Sequence, residues 1–202
     1  DEMRSAVGWE APILIDQEGG RVQRLRPPLA TEWPAPLDHV AALGAHAAEG
    51  MALRYQIIAA ELRALGIDTN CAPMLDVATT TSHEIILNRC YGDDPDTVAE
   101  MGRAVAEGLL AGGVLPIIKH VPGHGRAGMD SHLELPVVDA DRETLAASDF
   151  LPFARLADLP MAMTAHIVYP AIDPDACATL SPKVIDVIRQ EIGFDGLLMT
   201  DD

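Results

Sequence analysis

Val114-Leu115-Pro116-Ile117-Ile118-Lys119-His120 is an apolar run that ends abruptly on an ammonium and an imidazole. The apolar part is too short for a helix and reads as a buried strand. The same arrangement recurs along the chain. Residues 12–15 run into Asp16, residues 66–69 precede Asp76, residues 161–164 precede His166, and residues 196–200 run into Asp201. Between these strands, residues 45–65 and 95–111 carry apolar side chains at three- and four-residue spacing, closed by Gly66 and by Gly112-Gly113, and both read as helices. Residues 179–192 form a third, with Ser181 as N-cap, Pro182 at the first helical position and Gly193 after the end. Strands alternating with helices predict parallel βα units. Polar residues collected at the C-terminal ends of the strands are the habit of an α/β fold of the (β/α)8, TIM-barrel type. A doubly wound sheet also gathers ligands at strand ends, but no GxGxxG follows a strand here. A barrel takes about 250 residues. The 202 residues supply roughly five of the eight strands, so the expectation is one domain, 1–202, incomplete at both ends.

Composition narrows the class of partner. Fourteen Lys and Arg against thirty-one Asp and Glu give a formal charge of −17, which repels nucleic acid and anionic membrane alike. A neutral or cationic small molecule suits this surface better. Cys71, Cys90 and Cys177 are odd in number, widely spaced and without a CxxC pair, which points to a reducing, cytoplasmic setting. No apolar run approaches the roughly 18 to 20 residues of a membrane span, and the polar start Asp1-Glu2-Met3-Arg4 is not a signal peptide.

The densest polar segment is Lys119-His120-Val121-Pro122-Gly123-His124-Gly125, followed by Asp130-Ser131-His132. A surface turn explains the Gly and Pro residues but not three His, one Lys and one Asp within fourteen positions. Zinc ligation is the next alternative. Lys119 is a poor neighbour for a cation and no helical HxxxH pair is present, so neither a metal nor a cofactor is expected.

Ile15-Asp16-Gln17-Glu18-Gly19-Gly20-Arg21-Val22-Gln23-Arg24, Asn88-Arg89-Cys90-Tyr91-Gly92, Lys119 to Gly125, Asp130-Ser131-His132, Met163-Thr164-Ala165-His166 and Thr200-Asp201-Asp202 occur in that order. Together they resemble family 3 glycoside hydrolases of the bacterial N-acetylglucosaminidase branch. The KHVPGHG segment with its following DSH carries most of that specificity. Val121 stands where the family usually has Phe, and Asn88 where Asp is common.

Several roles follow from the resemblance. Retaining hydrolysis needs a nucleophile and an acid/base. Strand alternation alone leaves Asp201 and Asp202 open as nucleophile; the resemblance selects Asp201 and leaves Asp202 a supporting or capping carboxylate. It places the acid/base at His132, oriented by Asp130, a pairing that suits proton transfer near neutral pH. Sugar hydroxyls are assigned to Asp16, Arg24, Arg89, Lys119 and His120, with Arg21 as a rival for Arg24. His124 and His166 are expected near the site without a catalytic role, and Asp68 and Asp76 read as structural. The implied partner is a small carbohydrate, an N-acetylglucosaminyl muropeptide, cleaved by an exo-acting β-N-acetylglucosaminidase of peptidoglycan recycling. A family 3 β-glucosidase, a phosphorylase and a non-catalytic sugar-binding barrel are the alternatives.

Overall fold

The computed structural model describes residues 2–128 and 135–201. Seven strands occur among them: β1 Leu14–Ile15, β2 Gln17–Gly19, β3 Val22–Gln23, β4 Thr69–Asn70, β5 Leu115–Val121, β6 Met161–Thr164 and β7 Leu197–Thr200. Five form one parallel sheet in the order β1-β4-β5-β6-β7, so each strand pairs with the next sheet strand along the chain. The sheet curls into half of a barrel wall. The strands expected at 161–164 and 196–200 match β6 and β7 closely. The one expected at 114–118 extends through Lys119 and His120 to Val121.

The helices are α1 Glu2–Val7, α2 Pro36–Leu43, α3 Ala47–Ala64, α4 Glu84–Leu87, α5 Pro95–Ala111, α6 Arg142–Thr144, α7 Leu151–Arg155 and α8 Pro182–Gln190, with a π-helical turn Leu145–Asp149 between α6 and α7. The predicted start signal at Ser181 operates: it accepts from Val184 N–H at 3.2 Å at the head of α8. Asp94, which the sequence reading leaves unassigned, does the same at the head of α5, accepting from the Thr97 N–H at 2.8 Å. Met51, Tyr55, Ile58 and Leu62 make a buried stripe on α3, as do Val98, Met101, Val105 and Leu109 on α5.

Strand alternation divides the apolar side chains between the two faces of the sheet. Ile118 and Ala162 join the main core with the helices, whereas Ile117, Met161 and Met163 join Cys71 and the partly buried Met199 in a separate cluster. By parity Lys119 lies on the side of Ile117, and Asp201 on the side of Met199. The register of β5 against β6 shifts between Ile118 and Val121. Such a bulge re-aims side chains, so that both Lys119 and His120 serve the end of the sheet.

The β2–β3 hairpin, which the sequence pattern does not predict, sits on this end. Its strands are too short for the alternation that reveals longer ones. Buried side-chain amides hold it. The N–H of Gln17 donates to Asn70 Oδ1 at 3.0 Å, Asn70 Nδ2 donates to Gln17 O at 3.1 Å, and the Gln17 side chain exchanges two hydrogen bonds with the backbone of Leu25.

Candidate active site

Four charged side chains from four segments meet at the C-terminal edge of the sheet. Lys119, on β5 and 1% exposed, donates from Nζ to Asp16 Oδ1 at 2.7 Å and lies 2.6 Å from Glu18 Oε1. Glu18, on β2 and 1% exposed, also accepts from Arg89 Nε at 2.9 Å and Nη2 at 2.8 Å. This fork on a carboxylate fixes the plane of the guanidinium. Burial alone would raise the Glu18 carboxyl, but the Arg89 and Lys119 charges hold it well below the usual carboxylate range. Burial alone would likewise lower Lys119, and Glu18 reverses the direction, leaving the ammonium above its ordinary value. Arg89 is pushed up by the same partner against the same opposing burial. Glu18, Lys119 and Arg89 are therefore all charged at neutral pH.

A second constellation lies beside the first. Asp76 is completely buried and accepts from His120 Nδ1 at 2.6 Å, from the His124 N–H at 2.6 Å and from the His120 N–H at 3.3 Å. Burial would raise its carboxyl, but His120 and the backbone donor hold it below the usual range. The far nitrogen of the imidazole, His120 Nε2, lies 3.8 Å from Asp201 Oδ2 at the end of β7. Asp76 therefore aims His120 at Asp201, the carboxylate that the family resemblance implies as nucleophile. The His124 ring stands edge-on to that of His120, 5.5 Å between centroids. Its pKa is depressed to about 4 by burial and by the adjacent His120, so it is neutral at physiological pH.

The loop carrying these residues is tied down at several points. The Tyr169 hydroxyl donates to Gly123 O, and Arg126 Nε donates to Asp149 Oδ2 at 2.7 Å. Gly125 passes so close to the residue after Asp76 that a Cβ would lie 1.9 Å from Val77 O. This close approach, rather than a turn, requires glycine there.

Arg24 is at the rim, with its side chain 63% exposed and Nη2 3.8 Å from Asp16 Oδ2. Its rival Arg21 points elsewhere and donates to Glu84 O at 3.4 Å. The His166 ring is bound to Thr179 Oγ1 at 2.8 Å, and Thr179 also meets Thr164 Oγ1 at 2.8 Å. Cys71, within reach of the Lys119, Asp16, Glu18 and Asp201 charges, has its thiol pushed up to about 12 by burial. Asp68 belongs to the opposite end of its strand, accepting from Ile13 N–H at 2.8 Å and from Arg4 Nη2 at 2.6 Å. Asp130, His132 and Asp202 lie outside the described residues. Among the described residues no group of three or more His, Cys, Asp or Glu is set to hold a metal ion.

A family model described as the N terminal domain of glycosyl hydrolase family 3 matches residues 2–202. The chain belongs to glycosyl hydrolase family 3. A curated relative from Alkalilimnicola ehrlichii, named Beta-hexosaminidase, is 39% identical over 195 residues, covering 94% of this chain and 56% of that protein. The chain thus spans about half the length of the curated relatives it matches. A family 3 β-N-acetylglucosaminidase from Paenibacillus sp. str. FPU-7 superposes with a TM-score of 0.87 at 40% identity, over 94% of this chain and 36% of that one. NagZ from Neisseria gonorrhoeae, solved in complex with N-trifluoroacetyl-D-glucosamine, superposes with a TM-score of 0.88 at 34% identity, over 95% of this chain and 57% of that one.

In this family 3 chain, the sequence alone gives Glu18 no role and leaves Asp76 structural. Both carry signals in hindsight. Glu18 lies in the same short segment as Asp16, and two buried cations need more negative charge than Asp16 supplies. Asp76 follows the apolar pair Met74-Leu75, as Asp16 follows Leu14-Ile15.

Proposed function

We propose that this chain is the catalytic part of a retaining, exo-acting β-N-acetylglucosaminidase. The observation that carries the reading is the Asp201 carboxylate facing His120 Nε2 at 3.8 Å, at the strand edge that also holds the Asp16–Lys119 pair. Asp201 attacks the anomeric carbon while the bond to the leaving oxygen breaks and His132 gives that oxygen its proton. Water then attacks the glycosyl ester, His132 takes the water's proton, and Asp201 departs as carboxylate. Two inversions at one carbon give net retention. Asp130 orients His132 and supports its charged form. Asp16, Arg24, Arg89, Lys119 and His120 bind hydroxyl groups of the terminal sugar, with charge-assisted hydrogen bonds as the means.

The rest of the barrel belongs to this proposal. Leu115 and Leu197 share strand parity with Ile117 and Met199 on the inner face, yet are 40% and 61% exposed. Side chains from further strands would cover them and close the wall into a complete (β/α)8 barrel. The names of the relatives, Beta-hexosaminidase and β-N-acetylglucosaminidase, support the sugar. A muropeptide bearing terminal N-acetylglucosamine, met in the cytoplasm, is the substrate proposed.

Time-resolved proton NMR of the full-length protein hydrolysing a β-N-acetylglucosaminide tests the reading. The β-anomer of N-acetylglucosamine should form first and mutarotate afterwards. The α-anomer forming first would exclude the double displacement, and N-acetylglucosamine 1-phosphate appearing in phosphate buffer would make the enzyme a phosphorylase.

A further inference from the structure

We propose that Glu18 is the positioning residue of the sugar site: it clamps Arg89 and Lys119 together so that their remaining N–H groups meet the substrate in a fixed geometry. The inference rests on the sugar-binding reading above. Glu18 itself is 1% exposed and is spent on its two cations, so it acts through them and does not touch substrate.

The local structure holds Glu18 from both sides. Behind it, the backbone carbonyl of Glu18 accepts from Arg54 Nη2 and from the Tyr55 hydroxyl, both on α3. Gly19 makes that approach possible. Its φ is +108°, and a Cβ there would fall 1.9 Å from Arg54 Nη2. In front, the carboxylate receives Arg89 through Nε and Nη2 and touches Lys119 Nζ at 2.6 Å.

Buried ion pairs contribute little net stability and are often replaceable by apolar residues without loss. What this cluster supplies is geometry. Unclamped, a guanidinium and an ammonium on long side chains lose rotamer freedom when a sugar binds. Here that freedom is already gone. Lys119 has a second carboxylate, Asp16, so that its ammonium spans the two and its position is fixed from two directions.

Charge distinguishes this role from packing. The groups facing Lys119 are Glu18 on β2, Asp16 after β1, Cys71 after β4 and Arg89 after α4. Burial and the Arg89 charge lower the lysine, and Glu18 is the strongest opposing influence, ahead of Asp16 and Cys71. With Glu18 neutral, burial and Arg89 prevail. The lysine then loses its proton at lower pH, and sugar binding fails earlier on the alkaline side.

The test compares full-length wild type, Glu18→Gln and Glu18→Asp. Titration calorimetry with N-acetylglucosamine from pH 6 to 9 is paired with ¹⁵N spectra of arginine Nε–H and lysine Nζ groups. Glu18→Gln should bind about 10- to 100-fold more weakly at pH 7, the loss that accompanies one or two charge-assisted hydrogen bonds, and weaken further as pH rises. Glu18→Asp, which keeps the charge and so remains informative if the amide variant does not fold, should recover part of the affinity and the wild-type pH dependence. The Arg89 Nε–H signal should shift or exchange away in Glu18→Gln. A folded Glu18→Gln protein with wild-type affinity and pH profile, or with an unmoved Arg89 signal, overturns the inference. Should wild type bind no N-acetylglucosamine, the sugar assignment falls, while the arginine and lysine spectra still decide the role of Glu18.

Discussion

Replacing Asp76 by Asn keeps the shape of a completely buried side chain and changes only what its two terminal atoms can accept. In wild type one oxygen takes His120 Nδ1–H at 2.6 Å and the other takes the N–H groups of His124 and His120 at 2.6 and 3.3 Å. In Asp76→Asn, an amide nitrogen turned toward the ring must meet a bare Nδ1, which sends the imidazole proton to Nε2, the atom facing Asp201. Turned the other way, it leaves two backbone donors without an acceptor. Either outcome forfeits at least one charge-assisted hydrogen bond, about 1.5–3 kcal/mol. At about 2–4 °C per kcal/mol for a domain of this size, Tm should fall by roughly 3–12 °C. The same energy in the orientation of His120 corresponds to about a 10- to 100-fold loss in kcat/KM. The pH dependence has a definite sign. The folded Asp76 carboxyl titrates below its usual value of 3.8, so its contribution is present above that value and disappears as pH falls through the folded pKa. The gap in Tm between wild type and Asp76→Asn should therefore be full at pH 6–7 and close on acidification. Calorimetry from pH 3 to 7, together with ¹⁵N spectra of the His120 ring, reads both effects. An unchanged Tm and an unchanged His120 tautomer would mean that Asp76 does not orient the ring.

Arg89→Met and Lys119→Met should each raise KM and lower kcat on an aryl N-acetylglucosaminide, since the clamp acts in both the ground and transition states; normal constants in either variant would return that residue to a structural role. Asp201→Ala should leave product affinity within a few fold and abolish turnover. More than a few per cent of wild-type kcat would remove Asp201 from the nucleophile's place. His132→Ala should give a burst of phenol from an activated aryl glycoside and then stall, with azide restoring turnover as a β-glycosyl azide; a folded variant with neither burst nor rescue would contradict the acid/base assignment. Gly19→Ala, forced into a positive-φ position against Arg54, should cost about 1–3 kcal/mol, seen as a lower urea midpoint at constant m, and an unmoved midpoint would dissolve the packing argument around Glu18.

The parts of this fold written most clearly in the sequence are those governed by period and by caps. The three- and four-residue spacing at 45–65 and 95–111 becomes α3 and α5, and Ser181 with its following proline marks a helix start that the structure reproduces. The β2–β3 hairpin is illegible by those rules, because its strands of three and two residues are held by the Gln17–Asn70 amide exchange across fifty-three positions. The same distinction governs the site. Asp16, Lys119 and Asp201 stand at strand ends, where position alone draws attention. Glu18 and Asp76 act by what they touch, Arg89 at a separation of seventy-one residues and His120 at forty-four, and such pairings exist only once the chain is folded. Arg89, which the motif suggests as a direct sugar ligand, turns out to devote Nε and one Nη to Glu18.

In the proposed mechanism Asp201, at the end of β7, becomes covalently bonded to the sugar. A fluorinated N-acetylglucosaminyl fluoride, which forms the glycosyl ester quickly and releases it slowly, allows that bond to be trapped in the full-length protein and located by peptide mass spectrometry. One added sugar mass is expected, carried by the peptide that contains Gly196 to Thr200 and fragmenting to Asp201. Label on Asp202 or on any other side chain, or continued turnover of the reagent with no labelled protein, would contradict that mechanism.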